Sequence, residues 1–142
     1  MKEGGMVSSD IIVRLLMNKI ASCGAKRYLI DGFPRNVAQA ILLENKMGEI
    51  DFILNYKCDA EVLTARILHR AKTSGRSDDN PETLKARISV FLDNTIPTLR
   101  LYKVFGKVYN IDARGTVNEI LAMTNNALLP TLSFIYGPPV DK

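Results

Sequence analysis

The chain has no tryptophan and one histidine, His69, and its two cysteines, Cys23 and Cys58, stand far apart. Without a CxxC pair or clustered histidines there is no basis for a zinc site, and two lone cysteines do not make a disulfide scaffold. Each lies in or beside an apolar segment, so both are expected to be buried, reduced thiols in a reducing, cytoplasmic compartment. Long apolar runs are missing too. None approaches the roughly 18 residues that cross a bilayer, and Met1–Asp10 lacks the apolar core of a signal peptide. No membrane partner is expected. The net charge is only +4, and the densest basic stretch, Arg66–Arg76, contains no aromatic residue on which a base could stack. Nucleic acid is therefore excluded as a partner.

What remains is an ordinary globular composition, 46% hydrophobic and 24% charged over 142 residues, enough for one domain with a normal core. Three runs read as buried strands, Lys26–Asp31, Asp51–Cys58 and Lys107–Asp112. Each is rich in β-branched or aromatic residues and bounded by polar or turn residues. Helical patterns lie around them. Ser9 and Asp59 are placed to cap helices over 10–21 and 60–71. Asn80 and Pro81 open the strongest helix, whose core-facing positions Leu84, Ile88, Phe91, Thr95, Leu99 and Tyr102 follow a helical period. Pro97 is expected to kink that helix and Gly106 to end it. A last helix over 116–129 is expected to stop at Pro130, leaving 131–142 as a loose tail.

Strands alternating with helices imply an α/β fold with a parallel sheet, and such sheets bind ligands beyond the carboxyl ends of their strands. The stretch "DGFPRN" begins at such an end. Asp31, Gly32, Phe33, Pro34 and Arg35 form a constrained turn that presents an acid and an arginine. Taken alone, Arg35 reads equally well as a surface salt bridge. Arg66 and Arg70 share a helix face, Arg76 sits in the polar loop 71–80, and Arg87 follows in the next helix. Five arginines around a strand-end acid suit a polyphosphate, because a guanidinium fork grips phosphate with two donors at once. Phosphoryl transfer asks mainly for such positioning and charge neutralisation. It needs no imidazole, so His69 reads as a surface residue.

"LIDGFPRN" followed by "GRSDDNPETLKAR" resembles the nucleoside monophosphate kinases, the family of adenylate kinase and UMP-CMP kinase, in the short-lid form. The resemblance runs from about Gly4 to about Leu128, within a domain over 1–130, with the lid at about 71–80. It implies that Arg35 holds the phosphate of a monophosphate acceptor, with Gly32, Phe33 and Pro34 shaping the turn. Gly5, Met6, Val7 and Gln39 would contact the acceptor's base and sugar. ATP would lie against Arg66, Arg70 and the backbone of Gly115. Arg76 and Arg87 would close on the transferring group, and Mg2+ would arrive with ATP and sit near Asp31 through water. Glutamine at position 39 resembles the adenylate kinases and implies AMP as acceptor, whereas "PRN" and "GRSDDN" also resemble the UMP-CMP kinases.

One part of the family pattern has no counterpart in these residues. No G-x-x-x-x-G-K-[ST] stretch occurs, and the sole Gly-Lys pair, Gly106-Lys107, is followed by Val108 and comes after a helix. The fold expected is thus a three-layer, P-loop kinase-like α/β sheet with flanking helices that lacks the central P-loop strand. In the family's sheet order that strand lies between those corresponding to Lys26–Asp31 and Asp51–Cys58. Exposed strand edges, and with them self-association, are the expected consequence. Two readings follow: a kinase moving the γ-phosphoryl of ATP to a nucleoside monophosphate, and a non-catalytic nucleotide-binding or assembly domain on the same pattern.

Overall fold

A computed structural model of the chain describes residues 8–75 and 79–136. They divide into two compact units, Met1–Asp51 with Ile88–Gly106, and Phe52–Arg87 with Lys107–Lys142.

The first unit is helical. Helix α1 spans Ser9–Cys23 and α2 spans Val37–Met47. Ser9 is not the cap of α1 but its first residue: Ser8 precedes the helix, and the Ser9 hydroxyl instead accepts from the Gln39 side-chain amide. The sequence pattern did not announce α2, whose apolar residues are clustered rather than evenly spaced. Its start is fixed by Asn36, whose Oδ1 accepts the Gln39 N–H at 2.8 Å, relieving one of the unpaired amides of the first turn. Val13 from α1 and Ala40 and Leu43 from α2 are buried together with Thr98 and Tyr102 of α5, Ile96–Val104. Burial, reinforced by the hydrogen bond to the Glu44 carboxylate, pushes the Tyr102 hydroxyl above its ordinary pKa. Glu44 also accepts the Ile50 N–H at 3.0 Å, so this one acid ties the end of α2 to the following loop and to α5.

Pro97 acts less by a simple kink than by widening the helix ahead of it. Proline has no N–H for the carbonyl four residues earlier, and its ring crowds that carbonyl. Phe91–Thr95 forms a π-helical turn, in which Ile96 N–H reaches back to the Phe91 carbonyl. The extra residue in that turn changes which side chains face α2 and its preceding loop.

The second unit holds the sheet. Strands β1, Ile53–Lys57, and β2, Val108–Asp112, pair in parallel from Ile53 opposite Val108 to Lys57 opposite Asp112. Ile53 N–H donates to the Lys107 carbonyl and Ala113 N–H to that of Lys57, both at 2.7 Å, which closes the ladder at its two ends. Helix α3, Ala60–Ser74, follows β1; α4 is Pro81–Val90, of which Ile88–Val90 belong to the first unit. Asp59 precedes α3 but makes no side-chain capping bond. Asn80 does cap α4, accepting the Thr83 N–H at 2.8 Å. Helix α6, Val117–Tyr136, lies on β2. There Thr131 donates to the Tyr109 hydroxyl at 2.8 Å, Thr124 and the Tyr56 hydroxyl meet at 3.2 Å, and the Phe52 and Tyr109 rings meet edge to face. Ile67, Leu84, Ile111 and Ala113 are this unit's buried apolar residues.

Three expectations are corrected. Lys26–Asp31 is not a strand, and the sheet of the described residues has two strands rather than three. A strand is stable only where its amides and carbonyls find a neighbouring strand; among the described residues no strand pairs with this run, and Leu29 is 83% exposed. Nor does α6 stop at Pro130. The helix continues to Tyr136, because the bond lost at proline would have used the carbonyl of Asn126, an exposed residue that water can reach, while Thr131 anchors the next turn to the sheet. The tail's remaining residues, 137–142, lie outside the described ones. Finally, Cys23 is exposed and Cys58 only half-buried.

Candidate functional site

In the first unit the turn Asp31–Arg35 leads directly into α2. Gly32 has φ +69°, a left-handed conformation that disfavours side chains. A Cβ there would also come within 3.2 Å of Arg35 Nη2. That closeness comes from a specific bond: Arg35 Nε donates to the Gly32 carbonyl at 2.7 Å, bending the side chain back over its own turn. The Phe33–Pro34 peptide between them is cis. The peptide groups of Arg35 are held as well. Its N–H donates to Gln39 Oε1 at 2.7 Å, and its carbonyl accepts from Thr95 Oγ1, in the π turn, at 3.1 Å.

Gln39 is 2% exposed. Its Oε1 faces an N–H that can only donate, which fixes the orientation of the amide. Nε2 gives one hydrogen to Ser9 Oγ at 3.2 Å. Much of this side chain is therefore spent on holding the Arg35 turn. Asp31 is exposed. No carboxylate of the described residues is ion-paired with Arg35, whose guanidinium is fixed by a neutral carbonyl.

In the second unit Arg66 donates to three consecutive carbonyls, Ala113 at 2.5 Å, Arg114 at 3.1 Å and Gly115 at 2.9 Å. Two residues that the sequence assigned to the ATP side, Arg66 and Gly115, are thus in direct contact, and Arg66 shapes the loop after β2. A Cβ at Gly115 would stand 2.8 Å from Glu119 Oε2, so a side chain there would have to displace that carboxylate. That oxygen is fixed by accepting from both the Thr116 N–H and hydroxyl, a reciprocal cap that opens α6 and holds the Glu119 carboxyl below its usual range. Beside it, Arg114 clasps Asp112 and approaches Asp59 at 3.6 Å. The guanidinium lowers the Asp112 carboxyl to about 2.

Arg70 is held differently. Nε and Nη2 grip both oxygens of Asp79, at 2.9 and 2.6 Å, and the Asp79 side chain is fully buried. Arg87 and His69 are exposed on α4 and α3. Ala71–Ser74 of the expected lid form the last turn of α3. Gly5, Met6, Val7 and Arg76 lie outside the described residues.

The sequence profile of the adenylate kinase family matches residues 1–107. The chain belongs to this family of nucleoside monophosphate kinases. It is 38% identical over 133 residues to an adenylate kinase of Xanthomonas euvesicatoria pv. vesicatoria, an alignment covering 90% of this chain and 71% of that protein. It is 39% identical over 126 residues to adenylate kinase isoenzyme 1 of Caenorhabditis elegans, covering 87% and 60%. It is also 35% identical over 144 residues to the UMP-CMP kinase of Lentinula edodes, covering 93% and 63%. The matched span of the adenylate kinase profile contains Asp31, Arg35, Gln39, Arg66, Arg70, Arg76 and Arg87; Gly115 lies beyond it.

Sequence reasoning missed Asp79, and it read Ser9 only as a helix cap and Thr95 only as a position on a helix's apolar face. Asp79 stood in plain view in "SDDN", but which of two adjacent acids is buried against an arginine is not written in their order. Thr95 and Ser9 act through contacts 60 and 30 positions away, and no local pattern signals those. The Thr116-x-x-Glu119 cap did have a signature and could have been read.

Proposed function

We propose that the chain acts as a nucleoside monophosphate kinase, moving the γ-phosphoryl of ATP to the phosphate of a monophosphate acceptor, with AMP preferred over UMP and CMP. The observation that carries this reading is the Arg35 turn. Its guanidinium is oriented by the Gly32 carbonyl without a carboxylate partner among the described residues, so its charge is not cancelled by a bound acid. A phosphate is the natural complement of such a group.

In this reading Arg35 grips the acceptor phosphate, with Gly32, Phe33 and Pro34 setting its approach. Gln39, with Gly5, Met6 and Val7, would contact the base, which requires the buried Gln39 side chain to become accessible when the acceptor binds. The second hydrogen of Gln39 Nε2 is not used by Ser9 and suits a ring nitrogen acceptor, which adenine and cytosine offer and uracil does not; this supports AMP over UMP. Arg66, the Gly115 backbone and Arg70 hold ATP, and Arg76 and Arg87 neutralise the group in transit. An acceptor phosphate oxygen attacks the γ-phosphorus while its bond to the bridging oxygen breaks, and the electron pair leaves on ADP.

No group of three or more His, Cys, Asp or Glu able to hold a metal ion occurs among the described residues. Mg2+ would be carried by the nucleotide's own phosphates, and the exposed Asp31 would accept from its bound water. When bound, the ion would draw charge off the phosphate oxygens. The chain's own part is to bind and orient both nucleotides and, through the 71–80 lid, to exclude water.

A coupled assay of ADP formation from Mg-ATP with AMP, UMP and CMP tests the reading, run on the chain and on Arg35→Ala. Turnover greatest with AMP, and reduced about 100-fold or more by the substitution, is the expected result. Turnover indifferent to Arg35→Ala would refute it. AMP binding that depends on Arg35, without turnover, would instead favour a nucleotide-binding domain that transfers nothing.

A further inference from the structure

Arg35 is fixed at three points, and one of them comes from a part of the chain with no assigned role. Thr95 is the last residue of the π turn, and its hydroxyl donates to the Arg35 carbonyl at 3.1 Å across 60 positions of sequence. The opposite side of the same residue is closed by Gln39 Oε1 on the Arg35 N–H, and the side chain by the Gly32 carbonyl. With peptide N–H, peptide carbonyl and Nε all engaged, the two Nη groups are aimed rather than free to sweep.

The π turn has a cause within its own sequence. Pro97 cannot donate to the carbonyl of Asp93, and the backbone answers with Ile96 N–H bonding to Phe91 instead of Leu92. Inserting one residue into a helical turn rotates the side chains before it by about 100° relative to those after it. Thr95 therefore faces the Arg35 turn, while Thr98 in the next turn bonds back to the Asn94 carbonyl within its own helix.

We propose that Thr95 is a positioning residue for the phosphate-gripping arginine: delivered by the π turn, its hydroxyl clamps the Arg35 peptide so that the guanidinium meets the acceptor phosphate in one orientation. The inference rests on the reading of Arg35 as the phosphate grip. Its ligand is the phosphate of a nucleoside monophosphate, and it makes no claim on the base.

That division supplies the test. Affinities of AMP and adenosine are measured by calorimetry on the full chain, on Thr95→Val, on Thr95→Ser and on Arg35→Ala. Valine keeps the shape of threonine and removes the hydroxyl; serine keeps the hydroxyl. The expected result is AMP affinity lowered about three- to tenfold in Thr95→Val, the range for one lost hydrogen bond that aims a charged group, with adenosine unchanged and Thr95→Ser close to the parent. Thr95→Ala serves as a second hydroxyl-free variant should valine prevent folding. An AMP-to-adenosine ratio untouched by loss of the hydroxyl would overturn the inference while leaving the Arg35 reading intact, as would equal loss of both ligands. A parent chain that binds AMP no tighter than adenosine, with Arg35→Ala indistinguishable from it, would overturn both.

Discussion

Arg35 and Arg70 were assigned to one chemistry, yet the two units hold them in opposite ways. Arg35 rests on a neutral carbonyl and has no ion-paired carboxylate among the described residues; Arg70 grips a buried carboxylate and is half-exposed, at 47%. Arg66 resembles Arg35 in bonding only to carbonyls, but uses them to brace a loop. The lesson is that the partner of an arginine says what it is for. A carbonyl orients the cation without neutralising it, whereas a buried acid makes the cation part of the fold, because removing either member strands the other. Any phosphate reaching Arg70 has to compete with Asp79.

The contrast can be broken most directly at Asp79. Asp79→Ala is expected to lower unfolding free energy by about 1–3 kcal/mol, below the full cost of splitting a buried pair because Arg70 is half in water; chemical denaturation measures it. Next is Arg66→Lys, which keeps the charge but cannot span three carbonyls. It should cost about 1 kcal/mol and loosen residues 113–115, seen as faster amide exchange there.

Titration separates the units further. The Tyr102 pKa is raised in the fold, so the first unit's stability is full below about pH 10 and falls as pH rises beyond that value. The Asp112 pKa is lowered from 3.8 to about 2, so the second unit keeps its Arg114 clasp above pH 3.8 and loses it as pH falls through about 2. Amide exchange should therefore show 96–104 opening first in alkali and 112–116 first in acid, and Tyr102→Phe should abolish the alkaline effect. The smallest effect is expected at Arg35 itself. Arg35→Ala should shift stability by less than about 0.5 kcal/mol, and a loss comparable to that of Asp79→Ala would collapse the contrast.

Much of this was legible beforehand. Strands β1 and β2 showed as short β-branched and aromatic runs, and α4 showed through Asn80, Pro81 and its apolar period. "DGFPRN" announced a constrained arginine. Where reading failed, the missing information was tertiary. Lys26–Asp31 has the composition of a strand, but composition does not provide a neighbour to pair with. Proline at 130 breaks helices whose carbonyls water cannot reach, and Asn126 is exposed. The thiol of Cys23 was expected inside because of the apolar residues before it, yet it falls on the outer side of the last turn of α1.

The parallel pairing of Ile53–Lys57 with Val108–Asp112 also bears on how the molecule is made. Partners stand 55 positions apart, and between them the chain leaves the second unit after Arg87, contributes Ile88–Gly106 to the first, and returns. During synthesis α1, α2 and the Arg35 turn emerge well before β2 exists, while the Thr95 that clasps Arg35 comes later. Neither unit can close until residue 106 has left the ribosome, and the sheet, with its distant contacts, is the late and slow step. A stalled chain ending near residue 100 would leave β1 without β2, an unpaired edge open to aggregation.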